Sequence, residues 1–467
     1  MARAIERAGG LVIGLSNMPE YAAGSNTFNP NFGATRNPWD LSRTVGGSSG
    51  GGAAALASGQ CWLAAGNDLG GSLRNPAAYC GVVGLRPSPG RVGTEPPPPT
   101  AWRGRWALGL HAVSGPLART VADAALLLDV LASSGGENWQ EDATPSLAPP
   151  PAAGYLAAVR GAEALAPASV AFSADLGGLL RGLDPQVGLA VRRAAALLGA
   201  AAHGARVVEA SPRLPAEAHA AFLALRASRV AEDVAGGPGA AATAWLERWG
   251  PGAKPEVVWE VRAAAAPGAA RRLGEAEHTR QELEAALVRF LEVHEVFVCP
   301  VALMPPYDLS IRYPATLTPA AAGGAAVAFG DYTQWMAPCW LISMSGLPAI
   351  SVPVGLTPDG LPLGVQLVGR MGGEDRLLAA AALLEAALGV HRAVPLEPRD
   401  KSAGGPASPT GTAAAAAANA PASRAEWDGP RTAEEAAAHL EGRSELTAGV
   451  SCERPHRVSV HDVHTSR

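Results

Sequence analysis

The sequence predicts an α/β fold, because short apolar runs typical of buried strands alternate with longer segments that have helical periodicity. With 467 residues, of which 48% are hydrophobic, the chain can bury a large core. It has no apolar run of the roughly 18 residues that a membrane helix needs. Charged residues also stand at Arg3, Glu6 and Arg7, where a signal peptide would have its apolar region. We therefore expect a globular, cytoplasmic protein with no membrane segment.

The charge and cysteine patterns argue against several classes of partner and cofactor. The net charge is −5, from 37 basic and 42 acidic residues, and no basic run has the pattern of a phosphate-binding surface. Direct binding of nucleic acid is therefore not predicted. The 5 cysteines lack the C-x-x-C spacing of a zinc site and the density of a disulfide framework. We expect reduced thiols and no bound metal.

The N-terminal elements predict a chain that begins inside a domain. Ala2–Ala8 has the pattern of the last turns of an amphipathic helix with no cap before it, and the apolar run Leu11–Leu15 is typical of a strand. Because a helix normally starts at a capping residue, we expect the N-terminal part of the domain to be missing. Farther along, a glycine-serine loop (46–52) precedes a helix of small residues, Ala53–Ser58, and a short apolar strand, Cys61–Ala65.

The rest of the chain predicts a helical layer, further strands and a tail. Thr120–Ala132 has the apolar spacing of a helix capped by a threonine, and residues 133–154 are a Pro-, Ser- and Gly-rich linker. A mostly helical region covers residues 150–295. Strands are expected at Val170–Phe172, Arg206–Glu209, Val296–Cys299, Ala349–Val354 and Leu363–Val368. Residues 396–467, rich in Ala, Ser, Pro and Thr, predict a disordered tail after a domain that spans residues 1–395.

Two glycine-rich loops contain serines, one over residues 46–51 (GGSSGG) and one over residues 68–74 (DLGGSLR). Glycine lets a backbone approach a substrate closely and turn its N–H groups inward, as an oxyanion hole requires. The first loop alone is equally compatible with a flexible linker. It also fits the G-x-S-x-G nucleophile elbow, but residues 37–43 are not the strand that this motif needs. A Walker A loop is excluded, because neither lysine of the chain, Lys254 or Lys401, lies in a glycine loop.

Taken together, the two loops resemble the amidase signature. The resemblance rests on residues 46–51, on residues 66–77 (GNDLGGSLRNPA) and on residues 80–88 (CGVVGLRPS), and it covers roughly residues 2–387. It implies the amidase-signature fold, an α/β fold with a mixed, twisted sheet and helices on both faces. It also implies that the helical region over residues 150–295 is the part that varies most between members.

The resemblance implies a Ser-cis-Ser-Lys triad in which Ser72 is the nucleophile and Ser48, after a cis Gly47–Ser48 bond, is the bridging serine. The implied oxyanion hole consists of the backbone N–H groups of Leu69, Gly70, Gly71 and Ser72. The implied supporting residues are Gly47, Ser49, Asp68 and Arg74. No cofactor is implied.

The triad lysine has no counterpart in this sequence. In the family it lies farther upstream of the bridging serine than Met1 allows, and no lysine precedes Ser48. Lys254 falls in the variable helical region and Lys401 at the start of the tail, so neither corresponds to it. We therefore expect either a truncated sequence or a degenerate relative.

The implied function is hydrolysis of a carboxylic amide to an acid and an amine or ammonia, through an acyl-enzyme on serine and with a small-molecule amide as substrate. Two alternatives stay open. One is the glutaminase (A) subunit of an aminoacyl-tRNA amidotransferase. The other is a catalytically inactive, amidase-like binding protein that has lost the lysine. The sequence does not identify the amide, and it leaves open whether the chain forms a homodimer.

Overall fold

The computed structural model describes residues 1–93, 112–133, 149–317 and 326–401. The α-helices of these residues are α1 (Ala2–Arg7), α2 (Gly50–Ala57), α3 (Arg74–Cys80), α4 (Val121–Ala132), α5 (Tyr155–Arg160), α6 (Pro185–Ala201), α7 (Ala218–Ala235), α8 (Ala240–Trp249), α9 (Pro255–Ala265), α10 (Ala269–Val293), α11 (Ala337–Met344) and α12 (Glu374–Leu388). The strands are β1 (Phe28–Asn29), β2 (Gly33–Ala34), β3 (Arg36–Asn37), β4 (Asp40–Thr44), β5 (Leu63–Asp68), β6 (Val83–Arg86), β7 (Val113–Ala118), β8 (Ser169–Phe172), β9 (Arg206–Glu209), β10 (Val296–Pro300), β11 (Thr316–Leu317), β12 (Val327–Ala328), β13 (Ala349–Leu356) and β14 (Pro362–Val368).

One mixed sheet of 8 strands forms the centre of the molecule, in the order β5-β7-β6-β13-β14-β10-β8-β9. Strand β8 pairs in parallel with β9 and β10, whereas the other neighbouring strands pair antiparallel. This arrangement confirms the predicted α/β fold with a mixed sheet. Because β8 and β9 follow residue 150 in the chain, the region after the expected linker belongs to the same sheet as β5, β6 and β7.

Side chains of the sheet enter two hydrophobic cores, one on each face. In β10, Phe297 and Cys299 pack into one core, while Val296 and Val298 pack into the other. This alternation is the period of two that a strand imposes on its side chains. Helices α7, α9, α10 and α11 contribute to the first core, and α4, α6 and α12 contribute to the second. Helices therefore cover both faces, as predicted.

Most of the predicted elements are present, with small shifts at their ends. Helix α4 follows Thr120, whose hydroxyl accepts from Asp123 N at 3.1 Å, and this confirms the predicted cap. The predicted strand at Leu11–Leu15 is wrong, because these residues lie in no strand of the described structure and Leu15 is fully exposed. Apolar composition favours a strand only where a neighbouring strand can satisfy its backbone N–H and C=O groups.

The order of the first elements positions the two serine loops. Strand β5 ends at Asp68, and the second glycine loop runs from it into α3. Helix α2 starts at Gly50, directly after the first loop, so the packed helix predicted there begins three residues earlier than expected. The two loops thus lie at the starts of α2 and α3, which contact each other.

Two predicted segments fall partly outside the residues that the structure describes. Residues 134–148 of the expected linker and residues 402–467 of the expected tail lie outside the described residues. Residues 396–401 are described and contact the domain: Leu396 N donates to Ala57 O at 2.8 Å, and Arg399 N donates to Pro38 O at 3.0 Å. None of the helices in the described ranges has the length and apolar character required to cross a bilayer.

Candidate active site

The two predicted serine loops lie side by side. Ser49 N donates to Ser72 O at 3.1 Å, which joins the loop over residues 46–51 to the loop over residues 69–72. We name these the bridging loop and the oxyanion loop. The Gly47–Ser48 bond is cis, as the resemblance implies. Ser48 is buried, with 4% of its surface exposed, whereas Ser72 is partly exposed.

A threonine that sequence analysis did not identify holds the bridging loop. The Thr27 hydroxyl lies 2.8 Å from Gly46 O and 3.3 Å from Ser48 O, and it accepts from Gly50 N at 3.1 Å. A Cβ atom on Gly47 would lie 2.8 Å from the carbonyl carbon of Ser25, so this position requires glycine. The segment before β1 thus fixes the backbone on both sides of Ser48.

The oxyanion loop is built around the carboxylate of Asp68. Both carboxylate oxygens accept from Arg74, through Nε at 3.0 Å and Nη2 at 3.0 Å. The same oxygens accept from Gly71 N at 2.8 Å and from Leu73 N at 3.2 Å. The side chains of Asp68 and Arg74 are both fully buried. Two predicted supporting residues therefore lie beneath the loop and shape it.

A second arginine, Arg86 at the end of β6, enters this cluster from the sheet. Its Nη1 donates to the main-chain oxygen of Asp68 and lies 3.5 Å from Asp68 Oδ1. Burial alone would raise the pKa of Asp68, but the charge and hydrogen bonds of Arg74 and the charge of Arg86 lower it to about 2. Asp68 is therefore an anion at neutral pH. Arg86 belongs to the motif over residues 80–88 that carries the resemblance, but no role is predicted for it from the sequence.

The backbone donors of the oxyanion loop divide into two groups. Among the residues that the structure describes, the N–H groups of Leu69, Gly70 and Ser72 have no hydrogen-bond acceptor. The N–H of Gly71, by contrast, is bonded to Asp68 Oδ1. The predicted role of Gly71 as an oxyanion donor stays a prediction, and this hydrogen bond argues against it, because the carboxylate holds that amide inside the protein. Three unpaired donors remain in the loop that contains Ser72.

Aromatic side chains form the wall behind the oxyanion loop. A Cβ atom on Gly70 would lie 3.2 Å from Met336 Cε, 3.4 Å from Phe222 Cζ and 3.5 Å from Trp340 Cβ. The ring of Trp340 stacks on Phe222 at 4.6 Å between centroids and on His219 at 5.6 Å. None of these residues was predicted from the sequence, because they come from α7, from α11 and from Met336 directly before α11, far from the glycine loops in the chain.

Neither lysine of the chain hydrogen-bonds Ser48 or Ser72. Lys254 Nζ donates to Ala23 O at 2.8 Å and lies 4.1 Å from the centroid of the Phe28 ring. Burial lowers the pKa of Lys254 to about 8, despite the opposing charge of Glu256. Lys401 Nζ donates to Asp359 O. Over the described ranges, no group of three or more His, Cys, Asp or Glu side chains is placed to hold a metal ion.

Comparisons with known proteins agree on one family. The family model described as Amidase matches residues 1–378. A glutamyl-tRNA(Gln) amidotransferase subunit of Synechococcus sp. (strain CC9902) is 33% identical over 411 residues, which cover 84% of this chain and 77% of that protein. The structure of 6-aminohexanoate cyclic dimer hydrolase has a TM-score of 0.65 and 30% identity, and the match covers 85% of this chain and 78% of that one. A bacterial aryl acylamidase of the amidase signature family shares the fold at a TM-score of 0.69 and 24% identity, with 85% and 77% covered.

Proposed function

The chain belongs to the amidase-signature family of amide C–N hydrolases, and from this premise we propose that Ser72 is the nucleophile and Ser48 the bridging serine of an amidase. The observation that carries the proposal is the set of three unpaired N–H groups, on Leu69, Gly70 and Ser72, in the same short loop as the partly exposed Ser72 side chain. Donors fixed in this way stabilise the negative oxygen of a tetrahedral intermediate. A small-molecule amide is the proposed substrate.

In the proposed reaction, Ser72 Oγ attacks the amide carbonyl carbon while its proton passes to Ser48 Oγ, and the proton of Ser48 passes to a base. The negative charge collects on the former carbonyl oxygen, next to the unpaired N–H groups. The C–N bond then breaks as the nitrogen takes a proton, and the acyl group stays on Ser72. Water releases the acid by the same route and returns the proton to Ser72.

The base of this relay has no identified counterpart in residues 1–467. The resemblance implies a neutral lysine, yet no lysine precedes Ser48 in the sequence and Lys254 is bonded to Ala23 O. We therefore propose that Ser72 in this chain reacts slowly by itself and faster when a small amine, such as methylamine, is supplied as a base. The added amine would take the proton of Ser48 in place of the implied lysine.

A fluorophosphonate probe tests the proposal, with the labelled residue located by mass spectrometry. Labelling of Ser72, its loss in Ser72→Ala and its acceleration by methylamine support the function. Ser58→Ala is the matched control, since Ser58 lies at the end of α2 with its hydroxyl bonded to Ala54 O. A folded chain that is not labelled with or without amine overturns the catalytic proposal and favours the amidase-like binding protein.

The second candidate, a glutaminase subunit, is favoured by one observation: several relatives at 30–33% identity are named as glutamyl-tRNA(Gln) amidotransferase subunits. In such a role the chain would release ammonia from glutamine beside a partner protein. Hydrolysis of L-glutamine together with a stable partner chain would support this candidate, and hydrolysis of other amides by the chain alone would favour an independent amidase. Homodimer formation and a cytoplasmic location stay predictions.

A further inference from the structure

We propose that Arg86 strengthens the oxyanion hole by polarising the peptide bond between Asp68 and Leu69. The inference deepens the proposed function and rests on it, because it concerns the same donors. Arg86 would be a positioning residue that acts through the backbone and touches no substrate atom.

The two ends of the peptide bond between Asp68 and Leu69 have different hydrogen-bond partners. At the carbonyl end, Arg86 Nη1 donates to Asp68 O. At the amide end, the N–H of Leu69 has no acceptor within the described part of the chain. A cationic donor on a carbonyl oxygen withdraws electron density from the amide nitrogen, so that the N–H becomes a stronger donor. The Leu69 N–H would then gain strength when an oxyanion forms in front of it.

Arg86 is held so that this polarisation exists before substrate binds. The backbone of Arg86 is fixed in the sheet, where it pairs with Ala349 of β13. Its Nη2 lies 3.4 Å from Ser343 O, and its side chain is fully buried. Burial lowers the pKa of Arg86 to about 10, which leaves it a cation at neutral pH. A cation that is fixed and shielded from water stabilises a developing negative charge, and the protein does not have to reorganise during the reaction.

Arg74 has a different part in the same cluster. Its guanidinium binds the Asp68 carboxylate, Gln366 Oε1 at 2.8 Å and Cys339 O at 3.1 Å. These contacts fix the carboxylate that turns Gly71 inward. Of the two arginines, Arg86 is the one that bonds the main-chain oxygen of Asp68, directly before the oxyanion loop. A substitution of Arg86 should therefore change the strength of the Leu69 N–H as a donor, whereas a substitution of Arg74 should change the shape of the oxyanion loop.

The first readout is independent of any activity. Labelling with 13C-carbonyl aspartate and 15N leucine gives one NMR signal for each Asp-Leu pair, and the sequence has such pairs at residues 40–41, 68–69, 175–176 and 308–309. The signal for 68–69 is assigned as the one lost in Leu69→Met. In Arg86→Gln we expect the Asp68 carbonyl carbon and the Leu69 nitrogen to move upfield while the other three signals stay in place. Arg86→Lys, which keeps a cation, should recover part of the shift.

The second readout is the reaction of Ser72 with the fluorophosphonate, with methylamine present and with binding and bond formation separated by varying the probe concentration. Arg86→Gln should lower the bond-forming rate constant about 10-fold, in line with the loss of part of one oxyanion donor, and leave probe binding unchanged. Arg91→Gln is the matched control, because Arg91 is buried in an ion pair with Glu374 and contacts a different part of the chain.

Each outcome decides one proposal. Selective movement of the 68–69 signal with a slower bond-forming step supports the role of Arg86. An unchanged 68–69 signal, or a rate constant per folded molecule equal to that of Arg91→Gln, overturns it. If Ser72 of the unsubstituted chain is never labelled, the proposed function fails, while the NMR result still decides whether Arg86 polarises the peptide bond.

Discussion

Gly71 N donates to Asp68 Oδ1 at 2.8 Å, and the same carboxylate binds Arg74 through both of its oxygens. One side chain thus sets the turn of the oxyanion loop and balances a fully buried cation at the start of α3. The two effects cannot be separated, since the atoms that accept from the backbone also accept from the guanidinium. Loop geometry and local stability should therefore change together when this carboxylate changes.

Asp68→Asn should lower the free energy of unfolding by about 3–5 kcal/mol, because it leaves buried arginine charge without its carboxylate partner. Urea unfolding measures the change. Glu275→Gln is the control, since the Arg271–Glu275 pair is more than half exposed on both sides and should contribute less than about 1 kcal/mol. Equal midpoints for the two variants would contradict the structural role of Asp68.

Thr27→Val should slow the labelling of Ser72 by about 10-fold, because the bridging loop loses its central hydroxyl and Ser48 loses its fixed position. Stability should fall by about 1–3 kcal/mol, since buried backbone groups are left unpaired. Thr279→Val is a matched substitution at a partly exposed position of α10, where the hydroxyl bonds Glu275 O. A labelling rate that is unchanged in Thr27→Val would show that the bridging loop keeps its conformation without the Thr27 hydroxyl.

Gly71→Ala and Gly70→Ala should differ in stability and in Ser72 labelling, although the two glycines are adjacent. Gly71 has φ +114°, and a Cβ atom there would lie 2.5 Å from Cys339 Cβ, so we expect a loss of about 1–3 kcal/mol together with the loss of Ser72 labelling. The Cβ atom of Gly70→Ala would first meet the flexible end of Met336 at 3.2 Å, and a loss under about 1 kcal/mol is expected. Thermal unfolding and probe labelling of both variants check this order.

The serine loops could be predicted because their signal is local: glycines, serines, Asp68 and Arg74 stand within a few residues of one another. Thr27, Arg86 and Trp340 could not be found in this way, since each reaches the loops across 18 or more residues of sequence. The strand at Leu11–Leu15 failed for a related reason. Apolar content is a property of the segment, whereas strand formation depends on a partner that the segment does not contain.

Glu385→Gln should remove part of the dependence of stability on pH between about 4.5 and 7. Burial raises the pKa of Glu385 from 4.5 to about 7, although the hydrogen bond from Val121 N opposes the shift. Between these values the folded chain holds a proton that the unfolded chain has released, so the contribution of Glu385 to stability is highest below pH 4.5 and is lost as pH rises to 7. From pH 5 to pH 8, the free energy of unfolding of Glu385→Gln should therefore rise by on the order of 1–3 kcal/mol relative to that of the unsubstituted protein, because the amide keeps the acceptor and carries no charge.

Urea unfolding at both pH values measures this difference, with Glu275→Gln as the exposed control. A gain of the same size in the control, or none in Glu385→Gln, would rule out a buried protonated carboxyl at this position.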